Sequence, residues 1–311
     1  LRTRLSSKPP SPYSFAASEA MRLYEFHLDR AQVRHWAIRS GLAHAGPPKP
    51  ARAPVRRWQR QRIGELWQLD ATPHAWFPDD PTLHPMLNML DDCSRLFVGS
   101  RIYARESLLA YMDFLPAAFL EHGLPLVLYV DWHSFFFPQN PEALTELGRS
   151  LKFYGVSFKY ASTPQAKGKV EREHQYWQRR LPAYFAAEHV RNLPDANETI
   201  CSLRRHRNVH EAHRELGMTA QTAWDLAIEE GRSALRPVKP DAWWPYVWSQ
   251  KHRTRVADDG RIQIGNSRIR LEAPPRTSVV LCHHPDGSQS VLAQMPDPAH
   301  MPVVLFTNRA M

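Results

Sequence analysis

The sequence predicts an α/β protein with a helical segment before its sheet and a β-rich segment after it. Two observations carry that expectation. Between residues 64 and 185, three short apolar strand candidates are followed by helix, strand, helix, strand and helix, an order of alternating elements typical of α/β layering. From residue 252 the pattern changes to short β runs broken by Asp-Gly and Gly-Asn turns, which predicts a small β-barrel or sandwich.

At 311 residues the chain exceeds one ordinary domain, so two or three units are expected. Hydrophobic residues make up 43%, enough for a core, which excludes global disorder. A net charge of +9 and a pI near 9.6 suit a polyanionic partner, because neutralised phosphates release counterions; the charge also fits a basic enzyme with no such partner. The three cysteines, Cys93, Cys201 and Cys282, lie far apart without a Cys-x-x-Cys pair. That excludes a disulfide framework and fits a reducing cytosol. No apolar run reaches membrane-spanning length and no signal peptide opens the chain, so a cytoplasmic protein away from membranes is expected. The first residue is Leu, which predicts a chain cut short at its N-terminus.

The elements follow in order. Residues 15–42 read as two short helices, the first over Phe15 to Phe26 and the second beginning after Asp29, a good N-cap, and running toward Gly41. The pattern fits a helix-turn-helix and a plain helical hairpin equally. The stretch GPPKPARAPVRRWQRQR (46–62) holds four prolines, six Lys or Arg and no acid. Prolines keep such a segment extended, and its like charges repel unless phosphates lie alongside. It reads as a DNA-tracking arm, or as a solvated spacer. LWQLDA (66–71), MLNMLD (86–91) and LFVGSRIY (96–103) are strands, Ser107 to His122 a helix ended by Gly123 and Pro125, and PLVLYVD (125–131) an apolar strand. A helix over Pro141 to Phe153, the strand GVSFKYA (155–161) and a long helix from Gln165 to Phe185 complete the alternation. Residues 195–232 read as helical and basic, with RRHR at 204–207. The expected segments are 1–45, 46–63, 64–190, 191–250 and 251–311.

Three acids stand at element ends: Asp70 inside the first strand, Asp131 closing VLYVD, and Glu171 early in the last helix. An acid in an apolar strand is costly unless paired, hydrogen-bonded or metal-bound. Hard cations such as Mg²⁺ take carboxylate oxygens, and two of them support phosphoryl transfer by activating the attacking oxygen and stabilising the leaving one. Taken singly, each acid reads equally well as a cap or a surface residue.

WQLDATPHAWF (67–77), YVDWHSFF (129–136) and STPQAKGKVEREHQYWQRRL (162–181) resemble the three acidic motifs of DDE transposases and retroviral-type integrases. The bacterial insertion-sequence transposases with an integrase catalytic core are the nearest match, with LNMLDDCSR (87–95) as the strand-turn between the first two motifs. Intervals of 61 residues from Asp70 to Asp131 and 40 from Asp131 to Glu171 resemble the family pattern. The resemblance implies an RNase H-like core with a mixed five-stranded sheet in which the first and fourth strands are neighbours, which would bring Asp70 beside Asp131. It implies a preceding helix-turn-helix, of which residues 15–42 are the remnant, and a small β-barrel behind. The family's upstream DNA-binding region is mostly absent. Trp132 and His133 stand where many integrases have Asn-Gly, and Asp-x-His-Ser occurs in the insertion-sequence branch. The FFFPQN run (135–140) has no assignment.

Helical spacing does not choose between Glu171 and Glu173; the resemblance places the metal-binding acid in Val-Glu-Arg, hence Glu171. Glu173 is then expected to pair with Arg or Lys at the surface, and Val170, Trp177 and Leu181 to form a core stripe. Lys167 and Lys169 are expected on the phosphates of the DNA end, or simply solvated. Arg52, Arg56, Arg57, Arg60 and Arg62 are the arm's DNA contacts. His283-His284 lacks Cys partners at zinc spacing. His74 and His133 fit DNA contact and a plain polar loop alike, and the ten tryptophans are read as packing.

The resemblance thus implies a polynucleotidyl transferase using two Mg²⁺ or Mn²⁺ ions held by Asp70, Asp131 and Glu171. It would cut double-stranded DNA at a mobile element's end and join the freed 3′-hydroxyl to target DNA, as a homo-multimer. Two rivals remain: a non-catalytic DNA-binding remnant, and an RNase H-like nuclease that only cuts.

Overall fold

The computed structural model describes residues 1–6, 10–44, 59–131, 145–160 and 168–308. The chain divides into two compact units, Leu1–Glu106 with Ala161–Ala234, and Ser107–Tyr160 with Leu235–Met311. Each draws on two separate stretches of sequence.

The first unit opens with α1 (Arg2–Ser6), α2 (Tyr13–Tyr24) and α3 (Arg30–Arg39). Asp29 caps α3 as expected: its carboxylate accepts from Ala31 N and Gln32 N at 2.5 and 2.9 Å, and Gln32 accepts from Asp29 N at 2.8 Å, a reciprocal capping box. Leu5, Ala16, Ala17, Val33 and Ala37 make a small core among the three helices.

Strands β1 (Leu66–His74), β2 (His84–Asp91) and β3 (Phe97–Ile102) follow. The second unit then supplies α4 (Leu108–His122), β4 (Val127–Val130), α5 (Glu146–Phe153) and β5 (Ser157–Tyr160). The five strands form one mixed sheet in the order β3-β2-β1-β4-β5. β1–β2 and β2–β3 pair antiparallel, and β4–β5 pair parallel. This is the mixed five-stranded sheet that the sequence predicts. β2 is buried from Pro85 to Asp91, as a central strand covered on both faces must be.

The first unit resumes with α6 (Gly168–Gln178), α7 (Leu181–Glu188) and α8 (Leu193–His210), the short hairpin of β6 (Ala212–His213) and β7 (Met218–Thr219), and α9 (Ala220–Glu229). The single long helix expected to end at Phe185 is therefore two. Pro182 lies in the first turn of α7; its missing N–H and its ring fit a first turn and break a helix interior. Trp76, Phe97, Trp177, Leu181, Phe185 and Ile200 lie in one apolar cluster.

In the second unit α10 (Trp244–Val247) leads to β8 (Gln250–Arg255), β9 (Arg261–Ile264), β10 (Ser267–Arg270), β11 (Ser278–His283), β12 (Gln289–Leu292) and β13 (Val304–Asn308). These do not form the expected barrel. β13-β12-β11-β8 is an open sheet, and β9 and β10 are a separate two-stranded pair. A barrel requires the outer strands of a sheet to close on each other, and here β8 and β13 stand at opposite edges. The β9–β10 pair supplies Ile262 and Ile264 to a core with Val279, Leu281 and Val291, so the apolar faces are covered by stacking.

The β2–β3 turn carries two adjacent acids with fully buried side chains, Asp91 and Asp92. Asp91 Oδ1 accepts from Gly64 N at 2.8 Å and Trp67 Nε1 at 3.1 Å; Oδ2 accepts from Ser94 N and Ser94 Oγ, both at 2.8 Å. Burial pushes the Asp91 carboxyl up to about 6, against the donors that pull it down. An amide in its place would turn N–H groups toward N–H donors. Asp91→Asn is therefore expected to lower unfolding stability by about 1–3 kcal/mol, read as a shift in urea midpoint at unchanged slope.

Candidate active site

Asp70 lies on β1 opposite Asn88 of β2. Its side chain keeps 17% of its exposure, and Oδ2 stands 3.2 Å from Nε2 of the buried His174. Among the described residues neither ring nitrogen of His174 has a hydrogen-bond partner, and Asp70 is the carboxylate it approaches. His174 sits on α6, three residues beyond Glu171, one turn along the same side of the helix. The sequence reading passed over it; the Glu-x-x-His spacing within the third motif was the available signal.

Glu171 occupies the first turn of α6 and is exposed, where a carboxylate also meets the positive end of the helix dipole. Asp131 directly follows β4 and is partly buried. Among the described residues, no three His, Cys, Asp or Glu side chains stand close enough to hold a metal ion. The donor chemistry of Asp70, Asp131 and Glu171, all carboxylate oxygen, still fits a hard divalent cation.

Lys169 does not face solvent. Its Nζ lies 2.5 Å from Asp92 Oδ1 and its side chain is 7% exposed. Burial draws its pKa below the ordinary lysine value, opposed by the bond to Asp92. Arg60 and Arg62 also have partners within the chain: Arg60 Nη1 donates to Glu65 at 2.8 Å and Arg62 Nη2 to the Ser233 carbonyl at 2.8 Å. Lys167, Arg52, Arg56 and Arg57 lie outside the described residues, as do Trp132, His133 and the FFFPQN run.

Glu173 is paired as expected but not at the surface. It is buried, and Arg207 Nη2 on α8 donates to it at 2.5 Å. The guanidinium of Arg207 stacks 3.9 Å from the Tyr176 ring centroid. Val170, Trp177 and Leu181 form the expected buried stripe, and the helical repeat carries Glu173 and His174 inward with it. His74 stacks edge-on against Trp76 at 4.7 Å, and burial lowers its pKa. His284 is engaged with the Pro245 carbonyl at 3.1 Å and Ser290 Oγ at 3.0 Å. Trp67, Trp177, Trp243 and Trp248 are buried, in keeping with packing roles.

The two glutamates should therefore separate in stability. Glu173→Gln takes from the largely buried Arg207 the nearer of two carboxylates, with Glu211 left at 3.7 Å, and is expected to cost about 1–3 kcal/mol. Glu171→Gln, at an exposed position, should stay within about 0.5 kcal/mol of wild type. Urea unfolding of both variants checks the difference.

No family model matches the chain. The transposase for insertion sequence IS1202 of Streptococcus pneumoniae is 33% identical over 161 residues, covering 49% of this chain and 34% of that protein. The y4bF protein of Sinorhizobium fredii, named as a transposase, is 29% identical over 189 residues, covering 59% of this chain and 41% of that protein. The chain thus spans well under half the length of either relative. Among solved structures, a chain of the simian T-cell lymphotropic virus intasome aligns over 97% of this chain and 99% of its own, at TM-score 0.46 and 16% identity. The HTLV-2 integrase catalytic core domain in complex with magnesium aligns over 51% and 95%, at TM-score 0.41 and 18% identity. No helix among the described residues is long and apolar enough to cross a membrane. Over the matched residues the chain is similar in sequence to these two transposases, the group its acidic motifs resemble.

Proposed function

We propose that the chain is the DNA-breaking and joining part of a transposase, a polynucleotidyl transferase acting on the double-stranded DNA of a mobile element and its target. The reading is carried by the sequence shared with two transposases, and Asp70 on β1, Asp131 directly after β4 and Glu171 on α6 are the acids its motifs supply. The same similarity supports the substrate class. Asp70, Asp131 and Glu171 would hold two Mg²⁺ or Mn²⁺ ions, which when bound activate the attacking oxygen and stabilise the leaving one. The chain's own contribution is positioning. β1 holds Asp70 in a fixed strand, and His174 braces its carboxylate from α6. Arg52, Arg56 and Arg57, with Lys167, are the cations proposed to meet DNA phosphates; Arg60 and Arg62 join them only by giving up the partners described above. A pair of ends held together implies a homo-multimer assembled on DNA, in the bacterial cytoplasm where such DNA lies.

Strand transfer from a pre-cut element end in Mg²⁺ tests the reading. Wild type should join, and chelation with EDTA should abolish joining. Asp70→Asn, Asp131→Asn and Glu171→Gln should each lose joining while retaining DNA binding. Wild-type joining by any one of them removes that residue from the site. A wild type that cuts without joining would instead be a nuclease, and one that binds without either, a DNA-binding protein.

The arm is tested by salt. Arg52→Ala, Arg56→Ala and Arg57→Ala combined should flatten the dependence of log K on log salt by roughly 0.9 for each phosphate no longer neutralised. An unchanged slope would make the segment a spacer.

A further inference from the structure

Gln68 and Lys169 each stand two residues before an acid of the candidate site, Asp70 and Glu171. Both donate to one oxygen: Gln68 Nε2 lies 2.7 Å from Asp92 Oδ1, and Lys169 Nζ lies 2.5 Å from it. We propose that Asp92 is a positioning residue, a buried clamp that joins β1 to the first turn of α6 and thereby sets Asp70 and Glu171 for metal binding. The inference rests on the metal-carboxylate reading above.

The clamp has little freedom. Asp92 is fully buried, and its second oxygen accepts from Arg60 N at 2.8 Å. Arg95 Nη1 donates to its main-chain carbonyl and stands 3.8 Å from Oδ1. On β1, residues 68 and 70 share a face of the strand, so fixing Gln68 fixes the height and side from which Asp70 projects. On α6, positions 169 and 171 point about 200° apart. Holding Lys169 inward therefore sets the rotation of the helix that leaves Glu171 exposed. The same rotation brings His174 to 3.2 Å from Asp70, a second tie between strand and helix. A buried ion pair contributes little net stability compared with an apolar pair of similar volume. What this one supplies is a single geometry, and groups that orient metal-binding side chains commonly govern affinity for the ion.

Mn²⁺ alone, titrated into the protein and followed by electron paramagnetic resonance of the free ion, tests the clamp without reference to catalysis. Asp92→Asn should weaken Mn²⁺ binding roughly ten- to hundredfold. Gln68→Met should weaken it in the same direction and by less. Gln68 Oε1 is already buried without a partner among the described residues, so this variant should fold, and it carries the test if Asp92→Asn does not. Mn²⁺ binding lost in Asp70→Asn but equal to wild type in the folded Asp92 and Gln68 variants would overturn the clamp alone. A wild type that takes up no Mn²⁺ would overturn the metal reading and the clamp together.

Discussion

Two neighbouring carboxylates, Asp91 and Asp92, are removed from water at the turn between β2 and β3, and the order of the first unit depends on how they are satisfied. An unpaired buried carboxylate costs several kcal/mol, so every donor within reach becomes a constraint. Those donors come from across the unit: the backbone at Arg60 and Gly64, Trp67 and Gln68 of β1, Ser94 within the turn, and Lys169 of α6. The turn itself bends through Arg95 at φ 64°, an uncommon backbone state for a residue with a side chain. A slip of one residue between β1 and β2 would turn the side chains of one strand to the opposite face and part the acids from their donors on β1. The register that pairs Asp70 with Asn88 is thus the one that the buried acids allow.

The same constraint governs the basic residues of α6 and α8. A count of positive charge suggests a DNA-facing surface, yet Arg204 and Lys169 are buried and Arg207 is largely so. Arg204 donates to the Phe97 carbonyl at 2.9 Å, and Asn208 both accepts from Phe97 N and donates to its carbonyl at 3.1 Å. A shift in register between Met89 and Leu90 lies where β2 meets Phe97. Such an irregularity leaves backbone groups without ladder partners, and a buried group must find one elsewhere. Side chains of α8 supply it.

In the second unit, Ser150 of α5 donates to the Val247 carbonyl at 2.7 Å, and Glu146 accepts from Lys251 N at 2.5 Å. Lys251, drawn by burial to about 8, has its ammonium on the carbonyls of Val247 and Ser249 at 2.9 and 2.7 Å. Tyr154 and Trp248 stack with rings 11° apart and centroids 5.9 Å apart. These contacts join α5 to the approach to the C-terminal sheet.

The sequence by itself determined what depends on local pattern. The α/β alternation, the Asp29 cap, the Gly123 stop after α4 and the stripe of Val170, Trp177 and Leu181 were legible because period and cap chemistry act within a few residues. The similarity to transposases was legible because the three acidic segments stand in the sequence as continuous strings. Only the tertiary structure decided which polar side chains are surface and which are interior. Lys169 and Glu173 look like ordinary solvated charges in sequence, yet one meets Asp92 and the other Arg207. Their partners lie 77 and 34 residues away, beyond any local pattern. The open C-terminal sheet was hidden for the same reason, since closure depends on whether distant edge strands meet, and alternation within each strand is the same either way.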